Sequence, residues 1–464
     1  MTISLYPHQE NFITDIREAL RSNQAVLAQA STGFGKTVIA TSMVKAAVAK
    51  GKRVIFSVHR KDLIKQTAET FKQFNIHFGY IAAGMRPNPF APVQIASINT
   101  LQNNPDKYQP PDLLIPDEAH LSMAAGWRKT VNYYKSKGST LVGLPAPPWR
   151  LSGEGLGELY DVMGEGPSMS WLIQNGFLSD YKIYAPSTPD LSSVHSRMGD
   201  FINSELETTM DKPVITGNAI SHYLKLARGK RTLVFCTSIK HSQHVAEQFR
   251  NAGIMAVHID GETPCEDKIK AFEAFASRDI LVITSVAIFS EGFDLSAQIG
   301  QEVPIEATIS LRPTQSLTLH LQQMGRGLRR KPYPAIILDH SGNTLRLGLP
   351  DDERDWTLEG KKRSKKDKNE VAIRQCPKCF AVHRPVPVCP SCGFVYEVKG
   401  RPDIEVVDGE LQELDKDAMR RKRFKEQSKA QTIDELVALA KARKYKSPMA
   451  WAGYIFTARM AKRR

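Results

Sequence analysis

Long apolar runs are missing from this 464-residue sequence: none approaches the roughly 20 residues needed to cross a bilayer. Met1–Phe12 also lacks a basic-then-apolar leader. Both absences lead us to expect a cytoplasmic protein with no membrane association. Cysteine is scarce, six in all. Cys236 and Cys265 stand alone, and the other four fall into two close pairs, which suggests metal rather than disulfides. Acidic residues are outnumbered, 49 Asp and Glu against 63 Lys and Arg, leaving a net charge of +14. A polyanionic partner is expected, nucleic acid first, although a basic balance also serves plain solubility. With 41% apolar and 24% charged residues the chain is not disordered throughout, and its length allows two or three domains.

The most informative stretch is Ala30-Ser-Thr-Gly-Phe-Gly-Lys-Thr37. The apolar run Ala25–Ala28 before it suits a buried strand, and Val38–Ala49 after it is helix-forming and stops at Lys50-Gly51. In that setting the backbone N–H groups of Ser31, Thr32, Gly33 and Gly35 face anionic oxygens, Lys36 reaches the β- and γ-phosphates, and the Thr37 hydroxyl sits on Mg²⁺. The expected ligand is ATP. Ala30 stands where the usual pattern has its first glycine, and a glycine turn with a stray lysine is the bland alternative. Upstream, Leu5-Tyr6-Pro7-His8-Gln9 opens a helix to about Ser22. The Gln9 amide can read an adenine edge, or can be an ordinary exposed helix glutamine.

Strand-like runs at Arg53–Val58, Val93–Leu101, Leu113–Ile115 and Thr140–Gly143 alternate with amphipathic segments. This rhythm implies a parallel sheet covered on both faces, with ligand loops at the carboxyl ends of its strands. Asp117-Glu-Ala-His120 follows one such strand. Two adjacent carboxylates there are costly without a cation, so Asp117 would hold Mg²⁺ and Glu118 would activate water.

With these motifs in order, Leu5 to Asp339 resembles the superfamily 2 helicases and translocases, the DEAH-type branch that includes restriction-enzyme motor subunits and phage helicases. Ala30–Thr37 resembles motif I, Val54–Gln66 motif Ia, Ile95–Leu101 motif Ib and Asp117–His120 motif II. The resemblance implies two tandem RecA-like parallel-sheet domains of α/β class. It also implies nucleic-acid contacts from Arg60, Ser97, Thr100 and Thr237, for which solvated loop residues are the alternative. Leu144-Pro-Ala-Pro-Pro-Trp-Arg150 departs from motif III by placing Pro145 and Pro147 where threonines are usual. Proline offers neither hydroxyl nor N–H to relay the nucleotide state, and Pro116 removes a ladder donor from the motif II strand.

Leu151–Ser170 is glycine-rich and reads as a loop region joining two lobes. A second series of strands is expected at Arg231–Thr237, Ala256–Gly261, Ile280–Thr284 and Tyr333–His340. Ser285–Asp294 resembles motif V, with Gly292 and Asp294 at the nucleotide. His320–Arg330 resembles motif VI, Gln322-x-x-Gly-Arg326-x-x-Arg329. On a helix Arg326 and Arg329 share a face as arginine fingers, with Gln322 in the same catalytic set.

Beyond the motor, Lys361–Lys366 is a charge run suited to a solvated linker or to phosphates. Cys376-x-x-Cys379 and Cys389-x-x-Cys392 are two chelating knuckles for structural Zn²⁺, with His383 as a minor alternative ligand and a rubredoxin-type iron site as a lesser alternative. Basic residues beside aromatics after about Asp417 suit either nucleic acid or helix packing. The expected domains are a first RecA-like lobe over 1–155, a linker and start of the second lobe over 156–212, and the second lobe over 213–345. A basic linker over 346–370, a small zinc ribbon over 371–398 and a basic helical tail over 399–464 complete the chain. The expected role is an ATP-dependent DNA helicase or double-strand translocase in replication, recombination or repair, using ATP, Mg²⁺ and Zn²⁺. Duplex or branched DNA is its expected partner, with replication or recombination proteins met through ribbon or tail, and a monomer is favoured. An RNA helicase and a nucleotide-gated DNA-binding module are the alternatives.

Overall fold

The computed structural model describes all residues except 1–4, 146–147, 149–153, 186–188, 190, 193, 198–199, 211–212, 287, 290–294, 361–372, 397–424, 428, 444–447, 450, 454 and 457–464. It divides into a unit of residues 1–397, which contains two large sheets and a two-stranded hairpin, and a second unit of residues 398–464.

The first lobe opens with α1 (Pro7–Ala19), whose Phe12, Ile13 and Ile16 are buried on one face. There follow β1 (Ala25–Gln29), α2 (Lys36–Val48), β2 (Val54–Val58), α3 (Lys61–Gln73), β3 (Phe78–Ile81), β4 (Val93–Ser97), α4 (Ile98–Asn103), β5 (Leu113–Pro116), α5 (Ala125–Ser136), β6 (Thr140–Gly143), β7 (Val162–Glu165) and α6 (Met169–Gln174). The strands form one parallel sheet in the order β3-β4-β2-β5-β6-β1-β7. β1 and β2 are buried along their whole length because helices cover both faces, which is why their sequences are continuous rather than alternating apolar runs.

The second lobe begins at β8 (Tyr181–Tyr184) and a short hairpin of β9 (Ser196–Arg197) and β10 (Asp200–Phe201). It continues through α7 (Asn203–Met210), α8 (Pro213–Leu226), β11 (Thr232–Phe235), α9 (Ile239–Asn251), β12 (Ala256–His258), α10 (Cys265–Ser277), β13 (Val282–Ser285), α11 (Leu295–Ile299), β14 (Ala307–Ser310), α12 (Leu317–Gly327), β15 (Ala335–Asp339) and α13 (Asn343–Leu347). Two ribbon strands, β16 (Arg374–Gln375) and β17 (Ala381–His383), extend the same sheet, whose order is β12-β13-β11-β14-β15-β8-β17-β16. β12 to β8 run parallel, whereas β17 lies antiparallel to β8, pairing Ala381 with Tyr184 and Val382 with Ile183. The ribbon is thus built onto the edge of the second lobe rather than hung from a linker. In the separate 398–464 unit, α14 (Ile433–Ala442) starts at a Thr432/Glu435 capping box. The rest of the expected basic tail falls largely outside the described residues.

Pro116 leaves a local mark on the first sheet. Asp117 N donates toward β2, to the Ser57 carbonyl at 2.9 Å, so the ring nitrogen of Pro116 faces β6. Residue pairing of β5 with β6 is made at Leu113 and Leu114, and beyond the strand the Pro116 carbonyl accepts from Leu144 N (3.0 Å) and Asp117 bridges Leu144 in the same register. The ladder closes around the missing donor, and the carboxylates keep their place at the strand end. Among the described residues no helix is long and apolar enough to cross a membrane.

Candidate nucleotide site between two lobes

The phosphate loop turns on two left-handed glycines, Gly33 at φ +87° and Gly35 at φ +89°, conformations that a side chain would strain. Phe34 N donates to the Ser31 carbonyl (3.1 Å), and α2 begins at Lys36. Ala30 is buried at the first loop position, in ordinary van der Waals reach of Gly166. Gln9 is also buried: its amide donates to the Phe34 carbonyl (2.8 Å) and accepts from Tyr6 N (3.1 Å). It braces the loop with the same edge by which adenine reading is expected.

Lys36 and the acidic pair converge. Lys36 Nζ donates to the Pro145 carbonyl at 3.2 Å, and burial lowers its pKa against the pull of Glu118 and Asp117. Loss of water contact and repulsion from Glu118 push the Asp117 carboxyl up to about 6, although Lys36 and His59 oppose this. Glu118 is buried and held in the left-handed region, φ 50° and ψ 53°, a conformation that costs energy for a residue with a side chain. Its Oε2 lies 3.4 Å from His120 Nδ1 and accepts from Gln322 Nε2 of α12, also at 3.4 Å. The acidic pair, with the hydroxyl of Thr37 next to Lys36 in the chain, offers the hard-oxygen donor set that suits Mg²⁺. Thr37 and Asp117 are the residues that would hold it, and the ion would supply charge neutralisation at the phosphates.

From the second lobe, α12 lays Leu321 and Met324, and Leu328 just after it, into the apolar cluster that also contains Phe34 and Ile39. That packing turns Gln322 and Arg326 toward the cleft. Arg326 Nε donates to the Phe289 carbonyl at 2.7 Å. The expectation that Arg326 and Arg329 share a helix face needs correction: α12 ends at Gly327, and Arg329 lies beyond it in an extended bridge with Leu178. Two glycines at 325 and 327 weaken the helix there, and the bridge supplies an alternative for the backbone. Gly292 and Asp294 lie outside the described residues, as does Pro147.

Arg60, Ser97 and Thr100 are half-buried at the carboxyl ends of the adjacent strands β2 and β4. Thr237 is 1% exposed, and its hydroxyl pairs with His241 Nδ1 at 2.9 Å, so it shapes its loop from inside instead of presenting a hydroxyl outward. Sequence reasoning missed Tyr6, 44% exposed, which meets Arg330 (3.4 Å) at an open cavity of about 940 Å³. The signal available was an aromatic three residues before Gln9.

The four ribbon thiols lie within 4.8 Å of one another, with Cys376–Cys392 at 3.6 Å and Cys379–Cys389 at 3.8 Å. A tetrahedral zinc with bonds of ~2.3 Å requires sulfurs ~3.8 Å apart, so this thiolate set fits the ion. Each knuckle closes on a left-handed residue, Phe380 in one and Gly393 in the other. His383 is engaged elsewhere, with the Arg384 carbonyl and with Tyr396. It stands outside the cluster.

Comparison with known proteins agrees with this architecture. Residues 2–150 match the family described as type III restriction enzyme, res subunit, and residues 216–331 match the helicase conserved C-terminal domain. A "51.5 kDa protein" of a Lactococcus phage is 32% identical over 420 residues, covering 89% of this chain and 88% of that one. A candidate ATP-dependent helicase of Saccharomyces cerevisiae is 26% identical over 323 residues, covering 64% of this chain and 45% of the yeast protein. The ATP-dependent type ISP restriction-modification enzyme LlaBIII bound to DNA shares the fold, with a TM-score of 0.54 at 17% identity over 73% of this chain and 28% of that one. The chain belongs to the superfamily 2 helicases, in their restriction-motor-like branch, and is a nucleic-acid-dependent ATPase.

Proposed function

We propose that the protein is an ATP-dependent DNA helicase or double-stranded DNA translocase acting in replication, recombination or repair. The observation that carries this reading is the Gln322–Glu118 contact at 3.4 Å, which joins a motif VI side chain of one lobe to the acidic pair of the other. Hydrolysis in such a site depends on lobe closure, so each turnover can be coupled to movement of whatever both lobes grip. Lys36 and the loop N–H groups bind the phosphates, and the cavity beside Tyr6 and Arg330 takes the base. Glu118 receives the proton of the attacking water, with Gln322 fixing the carboxylate. Arg326 and Arg329 offset charge growing on the transferred phosphoryl group. Arg60, Ser97 and Thr100 meet the DNA backbone, and the ribbon cysteines hold zinc. DNA rather than RNA is favoured by the restriction-type domain of the first lobe.

A second reading is supported by the prolines: with Pro116 interrupting the ladder and Pro145 lacking a hydroxyl, the chain would be a nucleotide-gated DNA-binding module with a weak motor. ATPase assays with duplex DNA, single-stranded DNA and RNA, on this chain and on Lys36→Ala, separate these readings. Turnover stimulated by DNA and abolished in Lys36→Ala is expected. Stimulation by RNA alone would overturn the DNA assignment, and intact DNA binding without turnover would favour the gated module.

A further inference from the structure

After α13 the chain leaves the second lobe and crosses back to the first along residues 349–360. At its start Leu349 N donates to Asp352 Oδ2 (2.7 Å), and the Arg354 guanidinium donates to the carbonyls of Leu349 (2.7 Å) and Asp352 (2.9 Å). The ribbon reinforces this end, because Arg384 pairs with Asp351 (3.2 Å) and Asp352 (3.3 Å) and Tyr181 OH donates to Asp351. Midway, Pro350, Asp352 and Trp356 close a cavity of about 100 Å³ whose other walls include Ser31 and Thr32 of the phosphate loop and Leu321 of α12.

The far end is latched onto the first lobe. Leu358 packs against the cluster that holds Leu156, Leu159 and Tyr160, its carbonyl accepts from Gly157 N (2.9 Å), and Gly360 pairs antiparallel with Glu154. Gly155 is the seat: a Cβ there would overlap the Leu358 carbonyl oxygen and Gly360 N. Part of the glycine-rich stretch that reads as an interlobe loop is therefore a receptor for a later segment of the chain.

We propose that residues 349–360 form a strap that holds α12 against the phosphate loop, with Leu358 and Gly155 as positioning residues for ATP hydrolysis. The two ends of the strap are fixed on different lobes, and α12 lies between them. A second crossing of this kind confines the lobes to a small range of separations, so the Gln322–Glu118 contact forms at little further entropic cost. That contact spans only 3.4 Å, and a shift of an ångström or two breaks it. The inference rests on the reading of α12 as the second-lobe half of the ATPase.

The test uses the full metal-loaded chain carrying Gly155→Ala, Leu358→Asp or, as the conservative variant, Leu358→Met. Interlobe distance is read from dyes on Lys50→Cys and Lys240→Cys in a Cys265→Ser background, and steady-state ATPase is measured in parallel. In Gly155→Ala and Leu358→Asp the nucleotide-free distance is expected to lengthen. The KM for ATP should rise about tenfold with kcat within about threefold, since saturating ATP itself draws the lobes together. Leu358→Met should behave as the parent. An unchanged distance in Gly155→Ala, whose added methyl removes no apolar packing, would overturn the strap, and a longer distance with an unchanged KM would overturn its positioning role. If the parent turns over no ATP, the ATPase reading fails while the distance measurement still decides whether the strap holds the lobes.

Discussion

Gly325 of α12 stands against Thr32 of the phosphate loop so closely that a Cβ at position 325 would lie 2.8 Å from Thr32 Cβ and closer still to its methyl group. The two lobes touch here through the one residue type that allows it. Gly325→Ala is expected to hold α12 away from the loop, lowering kcat at least about tenfold with little change in melting temperature. A variant with parental kcat would show that closure in solution does not pass through this contact.

Glu118 is buried and shared between His120 and Gln322. Removing its basicity without its shape should separate binding from chemistry: Glu118→Gln is expected to bind a fluorescent ATP analogue as the parent does while kcat falls about 10²- to 10⁴-fold. Gln322→Ala should show a smaller loss of the same kind. A fall in nucleotide affinity that accounts for the whole loss would remove both residues from the chemical step.

Two buried histidines make the fold acid-sensitive. Burial, against the pull of Asp339, holds His320 down to about 4, and burial with repulsion from His222 holds His340 down to about 3. The unfolded chain takes up these protons near pH 6.5, whereas the folded chain resists until far lower pH. Stability from both groups is complete above about pH 6.5 and declines as the pH falls toward 4 and 3, each histidine costing about 1.4 kcal/mol per pH unit. Denaturant midpoints should drop between pH 7 and pH 5, and His340→Leu should flatten that slope by about one proton. An unaltered slope would place the proton uptake elsewhere.

Zinc should be bound at one ion per chain, measured by elemental analysis, and Cys376→Ser or Cys389→Ser should abolish it. Because β17 pairs with β8, chelation is expected to lower the melting temperature of the motor itself and not only to loosen a local loop. A metal-free protein that melts like the loaded one would show that the ribbon is held by its packing alone.

Pro116→Ile restores the missing ladder donor opposite β6. The expected gain is about 1 kcal/mol, or roughly 2–4 °C in melting temperature, with no loss of ATP binding. Destabilisation instead would mean that β6 has no acceptor positioned for that N–H.

The site was legible where its chemistry is local. Lys36, Asp117 and Glu118 are announced by short motifs after apolar strands, and the four cysteines by their spacing. Strands were missed where they are short and not distinctly apolar. β14 reads Ala-Thr-Ile-Ser between Pro304 and Pro313, and β3 and β7 each carry an interior glycine. Val93–Leu101 reads as one strand, but β4 stops at Ser97, which caps α4, since an apolar run of that length fits either period. Arg329 failed because an i, i+3 argument presumes the helix continues, and two glycines end it. Nothing local joins Gln322 to Glu118 across 204 residues, or Leu358 to Gly155; those relations exist only in the folded chain.

Without β17, the parallel sheet of the second lobe would end in a fully formed strand whose outward N–H and C=O groups are a template for any passing chain. β17 and the two-residue β16 turn that edge antiparallel and taper it. If the cysteine pairs hold zinc as proposed, stripping the ion is expected to bare this edge, and the loss should be felt first as self-association.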